Sequence, residues 1–433
     1  MRLAFTLLHR WVGLAIAAFL FLSGVTGAVI SWDHELDDLL NPHLHDATGS
    51  GAAIPSLELA RQVEARDPRV RVTYFPLVAE QGESLSFSVQ PRVDPATGRL
   101  FEPGYNEVFL NPVTGAEIGK REWGQAWPIT TETFVSFLYR LHYTLHIPDM
   151  WGIDRWGVWL MGGIAVLWTI DCFVGFYLTL PARRVRTRAR PVDVERALQR
   201  GWWSRWKPAW KIKTSGSSYR LNFDVHRAFS LWTWLLLLIL AFTGFSLNLY
   251  REAFYPMMSM ISKVTPSPFD LRTATDKHRP LDPKIGYAHV LSLARDEATR
   301  RGWAEPVGGL LYAPRYGIYG AMFFHPGDDH GAAGVGPACL YFDGNDGSLL
   351  GDRQPWKGTA ADIFVQAQFP LHSGRILGLP GRILISAMGL VVAALSVTGV
   401  VIWYRKRRAR VAVSRSSRHR AATRLLSVTR TLT

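Results

Sequence analysis

The stretch HRWVGLAIAAFLFLSGVTGAV occupies residues 9–29, and the stretch VHRAFSLWTWLLLLILAFTG occupies residues 225–244. In each, a His-Arg pair opens an apolar run, and a Thr-Gly pair begins 17 residues after the histidine. A run of about 20 apolar residues is long enough to cross a bilayer as a helix. The two stretches therefore predict membrane-spanning helices, and their shared spacing predicts an internal duplication.

Four apolar runs in the 433-residue chain reach the length of a membrane span. They are Trp11–Trp32, Trp156–Leu180, Phe229–Leu249 and Ile383–Tyr404. The first run does not fit a signal peptide, because it is long for such a segment and no A-x-A-like cleavage site follows it. We therefore expect an α-helical membrane protein with four transmembrane helices in a bundle.

The composition excludes several other classes of protein. A net charge of +14 is compatible with binding to nucleic acid or to a membrane surface. However, a 48% hydrophobic content, 19% charged residues and 17 tryptophans are typical of a membrane protein rather than a soluble one. Two cysteines exclude a disulfide scaffold, and the absence of a CxxCH motif excludes covalent c-type haem.

The distribution of Lys and Arg predicts the orientation of the spans. Residues 181–227 and 405–433 each carry a net charge of +10, and the N-terminus adds two arginines. Residues 32–141 carry −7, whereas residues 251–381 are neutral overall. We expect a multi-pass protein of the bacterial inner membrane, with both termini and the basic loop in the cytoplasm. The basic segments are then expected to face the lipid bilayer, and no nucleic-acid partner is expected.

The segments outside the predicted membrane also repeat. VFLNPVTGAEIG (108–119) aligns with LYFDGNDGSLLG (340–351), and each is typical of a strand, a glycine turn and a second strand. Helices are predicted at Ser56–Ala65 and Tyr287–Arg301. Two small α+β periplasmic domains therefore follow. The predicted segments are transmembrane helix 1 (1–32), domain 1 (33–138), a histidine-bearing helix with transmembrane helix 2 (139–181), the basic loop (182–224), transmembrane helix 3 (225–250), domain 2 (251–368), transmembrane helix 4 (369–404) and the basic tail (405–433).

Histidines lie at both ends of the predicted bundle. His9 and His226 open the first and third spans, whereas His142, His146 and His372 lie just outside the second and fourth. Facing helices of a bundle supply inward side chains to a cofactor, and neutral imidazole is an axial ligand for haem iron. We predict two b-type haems. His9 and His226 would bind one, and His372 would bind the other together with His142 or His146.

The choice between His142 and His146 stays open at this point. The two are spaced i, i+4, so both could project from one helical face. The match of YRLH (139–142) to FPLH (369–372) favours His142, whereas the distance to the following arginine favours His146. The histidine that does not bind iron is a candidate for contacting a haem propionate.

Three further residues are candidates for a role at these sites. Arg10 and Arg227 directly follow their histidines, and arginine binds carboxylates such as haem propionates in a bidentate manner. The alternative for both is ordinary anchoring at the cytoplasmic face. Asp171 lies within the second span, where a carboxylate is costly. It either serves the haem site or is protonated and bonded to a neighbouring helix. The histidines within 43–45 and 325–330 are expected to be polar loop residues.

The chain resembles the PepSY-associated transmembrane family, which includes iron-regulated bacterial inner-membrane proteins and ferric-siderophore reductases. The resemblance is carried by the stretches at 9–29, RLHYTLHIP (140–148), WGVWLMGGIAVLW (156–168), 225–244 and LHSGRILGLPGRILISAMGL (371–390). It covers nearly the whole chain. It implies four spans, two periplasmic PepSY-like domains, b-type haem and electron transfer to a periplasmic acceptor.

Together these features predict an oxidoreductase, an inner-membrane dihaem b-type reductase that delivers electrons to a periplasmic ferric complex. A ferric siderophore is the favoured acceptor. Because the chain has no G-x-G-x-x-G motif and no fused flavin module, its electron donor is expected to be a separate cytoplasmic protein or a quinol. One alternative is a non-enzymatic membrane protein whose PepSY-like domains regulate a peptidase. Another is a haem-bearing electron-transfer subunit for a different acceptor.

Overall fold

The computed structural model describes residues 1–181, 201–328 and 330–430. Part of the predicted basic loop, together with Asp329 and residues 431–433, lies outside the described residues. The helices are α1 (Arg2–Ile30), α2 (Asp33–Leu40), α3 (Pro42–His45), α4 (Ser56–Arg66), α5 (Thr131–Thr144), α6 (Trp156–Thr179), α7 (Trp202–Trp206), α8 (Ser218–Trp232), α9 (Trp234–Asn248), α10 (Tyr255–Ile261), α11 (Tyr287–Arg301), α12 (Ala360–Gln366), α13 (Gln368–Ser373) and α14 (Gly378–Arg430). The strands are β1 (Val70–Pro76), β2 (Leu85–Pro91), β3 (Glu107–Leu110), β4 (Glu117–Arg121), β5 (Val307–Ala313), β6 (Ile318–Phe323), β7 (Ala338–Asp343) and β8 (Leu349–Arg353).

The chain forms two compact units, and we call the first the helical unit. It comprises Met1–Ala28, Val158–Asn248 and Ser386–Thr433. Among the described residues, Arg2–Ile30, Trp156–Thr179 and Arg375–Ala412 are each long and apolar enough to cross a membrane. The helices α8 and α9 provide a fourth span only when they are taken together. The prediction of a helical membrane protein is confirmed at this level.

The third predicted span, Phe229–Leu249, is wrong in one respect, because it is not a continuous helix. The chain bends by 71° between α8 and α9, at Thr233. The hydroxyl of Thr233 donates a hydrogen bond to the Phe229 carbonyl at 2.7 Å. Threonine side chains that bond back to the preceding turn are associated with helix bending. The indole of Trp234 then donates to the Cys172 carbonyl at 3.0 Å, which ties the start of α9 to α6.

The helical unit exposes large apolar side chains on its spans and packs small residues inside. Phe21, Leu167 and Leu390 are examples of exposed apolar side chains, and such surfaces suit contact with lipid tails. At Gly24, an added Cβ would lie 2.5 Å from the Gly389 carbonyl oxygen. The backbones of α1 and α14 therefore approach each other more closely than any larger residue would allow.

The second unit, called the sheet unit below, comprises Val29–Gly157 and Leu249–Ile385. It contains an antiparallel eight-stranded sheet in the order β4-β3-β2-β1-β5-β6-β7-β8. The junction is the pairing of β1 with β5, where Phe75 lies opposite Leu310. The prediction of two separate small α+β domains is therefore corrected to one unit. Pairing β1 with β5 removes two strand edges that separate domains would have to protect.

The core of the sheet unit is continuous across both halves. One cluster of buried apolar residues includes Leu59 and Val63 of α4, Val290 of α11, and Phe87 and Leu340 of the sheet. The predicted helices at 56–65 and 287–301 are thus confirmed, and both pack on the same core. Gly115 and Gly347 lie at the predicted turns with φ of 69° and 77°, a conformation that favours glycine.

Candidate functional site

In the helical unit the structure brings His9 of α1 together with His226 of α8. Their ring centroids are 6.3 Å apart. A metal–imidazole nitrogen bond is about 2 Å long and the ring centroid lies about 1 Å behind the nitrogen, so two imidazoles on opposite sides of one ion have centroids about 6 Å apart. The spacing of this first histidine pair therefore fits two axial ligands of one iron.

Hydrogen bonds at Nδ1 hold both rings of the first pair. Nδ1 of His9 lies 2.9 Å from each carboxylate oxygen of Asp171. Nδ1 of His226 lies 2.9 Å from the hydroxyl of Thr398, which itself donates to the carbonyls of Ala394 and Leu395. Both partners can act as acceptors, which places a proton on each Nδ1, and in a neutral ring Nε2 then carries the lone pair. This is the arrangement in which a histidine binds metal and a second residue fixes its orientation.

The first pair lines a cavity of about 470 Å³ inside the helical unit. Three glycines lie in its wall, Gly13, Gly175 and Gly399. A Cβ at Gly175 would lie 3.5 Å from Cε1 of His9, and one at Gly399 would lie 3.3 Å from Cε1 of His226. Each histidine ring therefore packs closely against a glycine of the facing helix, where a larger side chain would displace the ring. The volume lies within the range of small-molecule and cofactor sites.

Cationic side chains line the same cavity, including Arg10, Arg227 and Lys406. The Nε atoms of Arg10 and Arg227 are buried and have no hydrogen-bond partner within the described residues. A buried guanidinium nitrogen without a partner is costly, and a ligand carboxylate would satisfy it. Arg227 is already engaged at its other end, because it donates to Asp224 and to the Pro208 carbonyl, both at 2.8 Å.

In the sheet unit a second pair forms between His142 of α5 and His372 of α13. Their ring centroids are 6.1 Å apart, which again fits two ligands of one ion. Burial, and then the neighbouring His142, lower the pKa of His372 to about 3. The His372 imidazole is therefore neutral near pH 7, the form that binds iron.

The structure separates His146 from this second pair. The helix α5 ends at Thr144, and Leu145 and His146 both have positive φ, of 55° and 51°. His146 stacks on Phe137 with centroids 4.6 Å apart, and its Nε2 lies 2.9 Å from the Phe137 carbonyl oxygen. The expectation that His142 and His146 share one helical face is wrong, because the helix ends between them.

The family model described as the PepSY-associated TM region matches residues 6–406, which include both histidine pairs. The chain belongs to this PepSY-associated transmembrane family. No curated protein matches the chain. The resemblance stated from the sequence is thus confirmed for the family, and the chain is a membrane protein of that family.

Tyr139, Arg140 and Tyr143 lie next to His142 in the sequence of α5 of this PepSY-associated protein. Tyr139 lies one turn before Tyr143 on α5, with ring centroids 6.0 Å apart. Burial, and then the nearby Asp33, raise the pKa of Tyr139. Asp33 lies 3.5 Å from Arg375. The Nε of Arg140, two residues before His142, is buried without a partner among the described residues.

Three other histidines of the described residues have partners outside the two pairs. His43 pairs with Glu132 at 2.8 Å, and His45 pairs with Asp37 at 3.2 Å. His330 lies edge-to-face against His34, with centroids 4.9 Å apart. In the described ranges no group of three or more His, Cys, Asp or Glu is placed to hold a metal ion. The two histidine pairs therefore differ from these other histidines, because in each pair the rings face one another at about 6 Å.

Sequence reasoning missed Thr398, Gly175 and Gly399. Thr398-Gly399 repeats the Thr-Gly pair that marks the first and third spans, so a signal was present in the sequence. Gly175 lies four residues after Asp171, one helical turn away on the same face. That spacing alone does not distinguish a residue beside a cofactor from one that allows close helix packing.

Proposed function

We propose that this protein is a dihaem b-type reductase of the bacterial inner membrane that delivers electrons to a periplasmic ferric complex, with a ferric siderophore as its substrate. The observation that carries the proposal is the presence of two histidine pairs at bis-imidazole spacing, 6.3 Å and 6.1 Å between centroids. When bound, haem iron alternates between the ferric and ferrous states and so transfers single electrons.

For the first haem, His9 and His226 would hold the iron, and Asp171 and Thr398 orient the two rings. The cavity between these helices and its glycine wall support a planar cofactor. Arg10 and Arg227 supply buried guanidinium groups suited to two propionates. The proposal therefore accounts for both partnerless arginine nitrogens in this cavity.

For the second haem, His142 and His372 are the proposed ligands, and His146 has a supporting place beside Phe137. The neutral state of His372 supports its role as a ligand, because a protonated imidazole has no lone pair for iron.

The proposed substrate comes from the family resemblance, and coordination chemistry and topology support it. The hard oxygen donors of a chelator hold Fe(III) far more firmly than Fe(II), so one-electron reduction loosens the complex. The Lys and Arg distribution supports an orientation in which residues 32–141 and 251–381 face the periplasm. The electron donor is proposed to be a separate cytoplasmic protein or a quinol.

The test begins with cofactor content. Protein purified from haem-replete cells should show a b-type spectrum with about two haems per chain, and a colourless preparation would refute the proposal. His226→Ala and His372→Ala should each remove one haem, and the remaining haem should differ between them. His43→Ala is the matched control, since His43 pairs with Glu132 away from both pairs.

A second measurement tests the acceptor. The chemically reduced protein is mixed anaerobically with a ferric siderophore, and reoxidation is followed in the visible spectrum while a ferrous chelator reports released Fe(II). Reoxidation matched by Fe(II) release supports the reductase. A haem-loaded protein that stays reduced would exclude the siderophore and favour an electron-transfer subunit with another acceptor.

A further inference from the structure

The two histidines of the first pair are held by acceptors of different charge. His9 faces a carboxylate, with both oxygens of Asp171 at 2.9 Å from Nδ1. His226 faces the neutral hydroxyl of Thr398, also at 2.9 Å. Both contacts fix the same tautomer, so a carboxylate and a hydroxyl orient the histidine ring equally well. The negative charge on one side therefore needs a separate explanation.

Asp171 is a costly residue at its position. It lies within the apolar span Trp156–Thr179, and only 9% of its surface is exposed. Within the described residues it makes no ion pair with a lysine or arginine, and its contact is the hydrogen bond from Nδ1 of His9. A buried carboxylate without a cationic partner is retained at a cost in stability of several kcal/mol unless another charge compensates it. A cation bound through His9 would provide that compensation.

The chemical effect of such a contact is known in general terms. A carboxylate that accepts a hydrogen bond from the N–H at Nδ1 makes the imidazole a stronger electron donor at Nε2. A stronger donor stabilises the ferric state more than the ferrous state, which lowers the midpoint potential of the iron. A hydroxyl that accepts the same bond has a smaller effect, because it carries no charge.

We propose that Asp171 is a positioning residue that gives His9 partial imidazolate character and thereby sets a low midpoint potential for the first haem. The proposal rests on the proposed function and adds to it a regulation of the first site. Thr398 holds His226 in the matching orientation without this electronic effect. The midpoint potential of the first haem would then be lower than it would be with two neutral acceptors.

The test compares Asp171→Asn with Thr398→Val in the full-length, haem-loaded protein. Asparagine keeps an acceptor oxygen near Nδ1 of His9 but removes the charge, whereas valine removes the acceptor beside His226 and leaves the charge in place. Midpoint potentials are measured by anaerobic redox titration of the visible spectrum. Asp171→Asn should raise the potential of the haem that His226→Ala removes, leave the other haem unchanged, and shift the ferric electron paramagnetic resonance signal of the same haem. Thr398→Val should produce the smaller shift.

Unchanged potentials and an unchanged resonance signal in Asp171→Asn, with both haems retained, would overturn this inference. If Asp171→Asn loses the first haem, His9→Gly with added imidazole replaces the tethered ligand. The midpoint potentials of His9→Gly and of His9→Gly with Asp171→Asn are then compared in the presence of imidazole. Equal potentials in the two proteins again overturn the inference. A wild-type protein without haem would instead refute the proposed function, so the two failures are distinguishable.

Discussion

Arg10 offers the most direct test of the cationic wall in the first cavity. Its Nε is buried without a partner among the described residues, and its guanidinium stacks on Trp11 with the carbon 4.9 Å from the ring centroid. Replacement by leucine therefore removes no hydrogen bond that the protein makes at Nε. If Arg10 binds a haem propionate, Arg10→Leu should weaken haem binding while leaving the fold intact.

The expected size follows from the type of bond. A hydrogen bond to a charged group contributes about 1.5–3 kcal/mol. The loss of one such bond corresponds to a roughly 10- to 150-fold weaker affinity for haem. Arg227→Leu should lose a similar amount of affinity and also destabilise the apoprotein, because it frees the fully buried Asp224 from one of its two arginine partners.

The assay follows haem loss from the detergent-solubilised protein to an excess of a haem-scavenging protein by visible absorption. Arg407→Leu is the matched control, because Arg407 also stacks on a neighbouring tryptophan, at 5.3 Å from Trp403, but does not line the cavity. Equal haem-loss rates for Arg10→Leu, Arg407→Leu and wild type would show that Arg10 only anchors the helix at the cytoplasmic face.

Three further predictions concern other parts of the molecule. His142→Ala should remove one haem and His146→Ala should retain both, as measured by haem content, because His146 is held on Phe137; retention by His142→Ala would contradict the second pair. Gly399→Leu should abolish binding of the first haem, since even a Cβ there lies 3.3 Å from the His226 ring. A normal haem spectrum in that variant would contradict the proposed role of Gly399 beside His226. Arg121→Met breaks two buried ion pairs in the sheet unit and should cost about 3–5 kcal/mol of stability in thermal or urea unfolding. Burial raises the pKa of one of its partners, Asp37, but donated hydrogen bonds lower it well below its usual value. This stabilisation is therefore complete at neutral pH and lost as the pH falls below about 4, so the difference between variant and wild type should shrink in acid.

The membrane-spanning elements could be predicted from the sequence because hydropathy is a local property. A helix in a bilayer must satisfy its own backbone groups, so a long apolar run leaves few alternatives. The bend at Thr233 was not predictable in the same way. It depends on a hydroxyl that bonds back to Phe229 and on the contact of Trp234 with the Cys172 carbonyl, and the second of these joins residues far apart in the sequence.

The joined sheet illustrates the same limit for strands. Alternating apolar residues and glycine turns mark individual hairpins, which are local features. The pairing of β1 with β5 connects Phe75 with Leu310, which are more than 200 residues apart. The sequence of either strand does not indicate with which strand it pairs. The sequence therefore predicts the two halves of the sheet unit but not their common sheet.

The choice between His142 and His146 depended on where one helix ends. Spacing of i, i+4 places two residues on one face only while the helix continues. The helix ends at Thr144, and the His-Ile-Pro sequence that follows is a signal for this end. Proline disfavours the helical conformation of the residue before it. This signal favours a helix that includes His142 and ends before His146.

The contacts of the first pair show what the two halves of the chain share and where they differ. In each half, a histidine on an opening helix packs against a glycine on the closing helix, as His9 does on Gly175 and His226 does on Gly399. The acceptor at Nδ1 differs, with a carboxylate in one half and a hydroxyl in the other. Packing of a ring needs only space, whereas the charge at Nδ1 changes the donor strength of the nitrogen opposite. The shared packing places both rings against the facing helices. The charge at Nδ1 is the difference between the halves, and it would give the two imidazoles different donor strengths at Nε2.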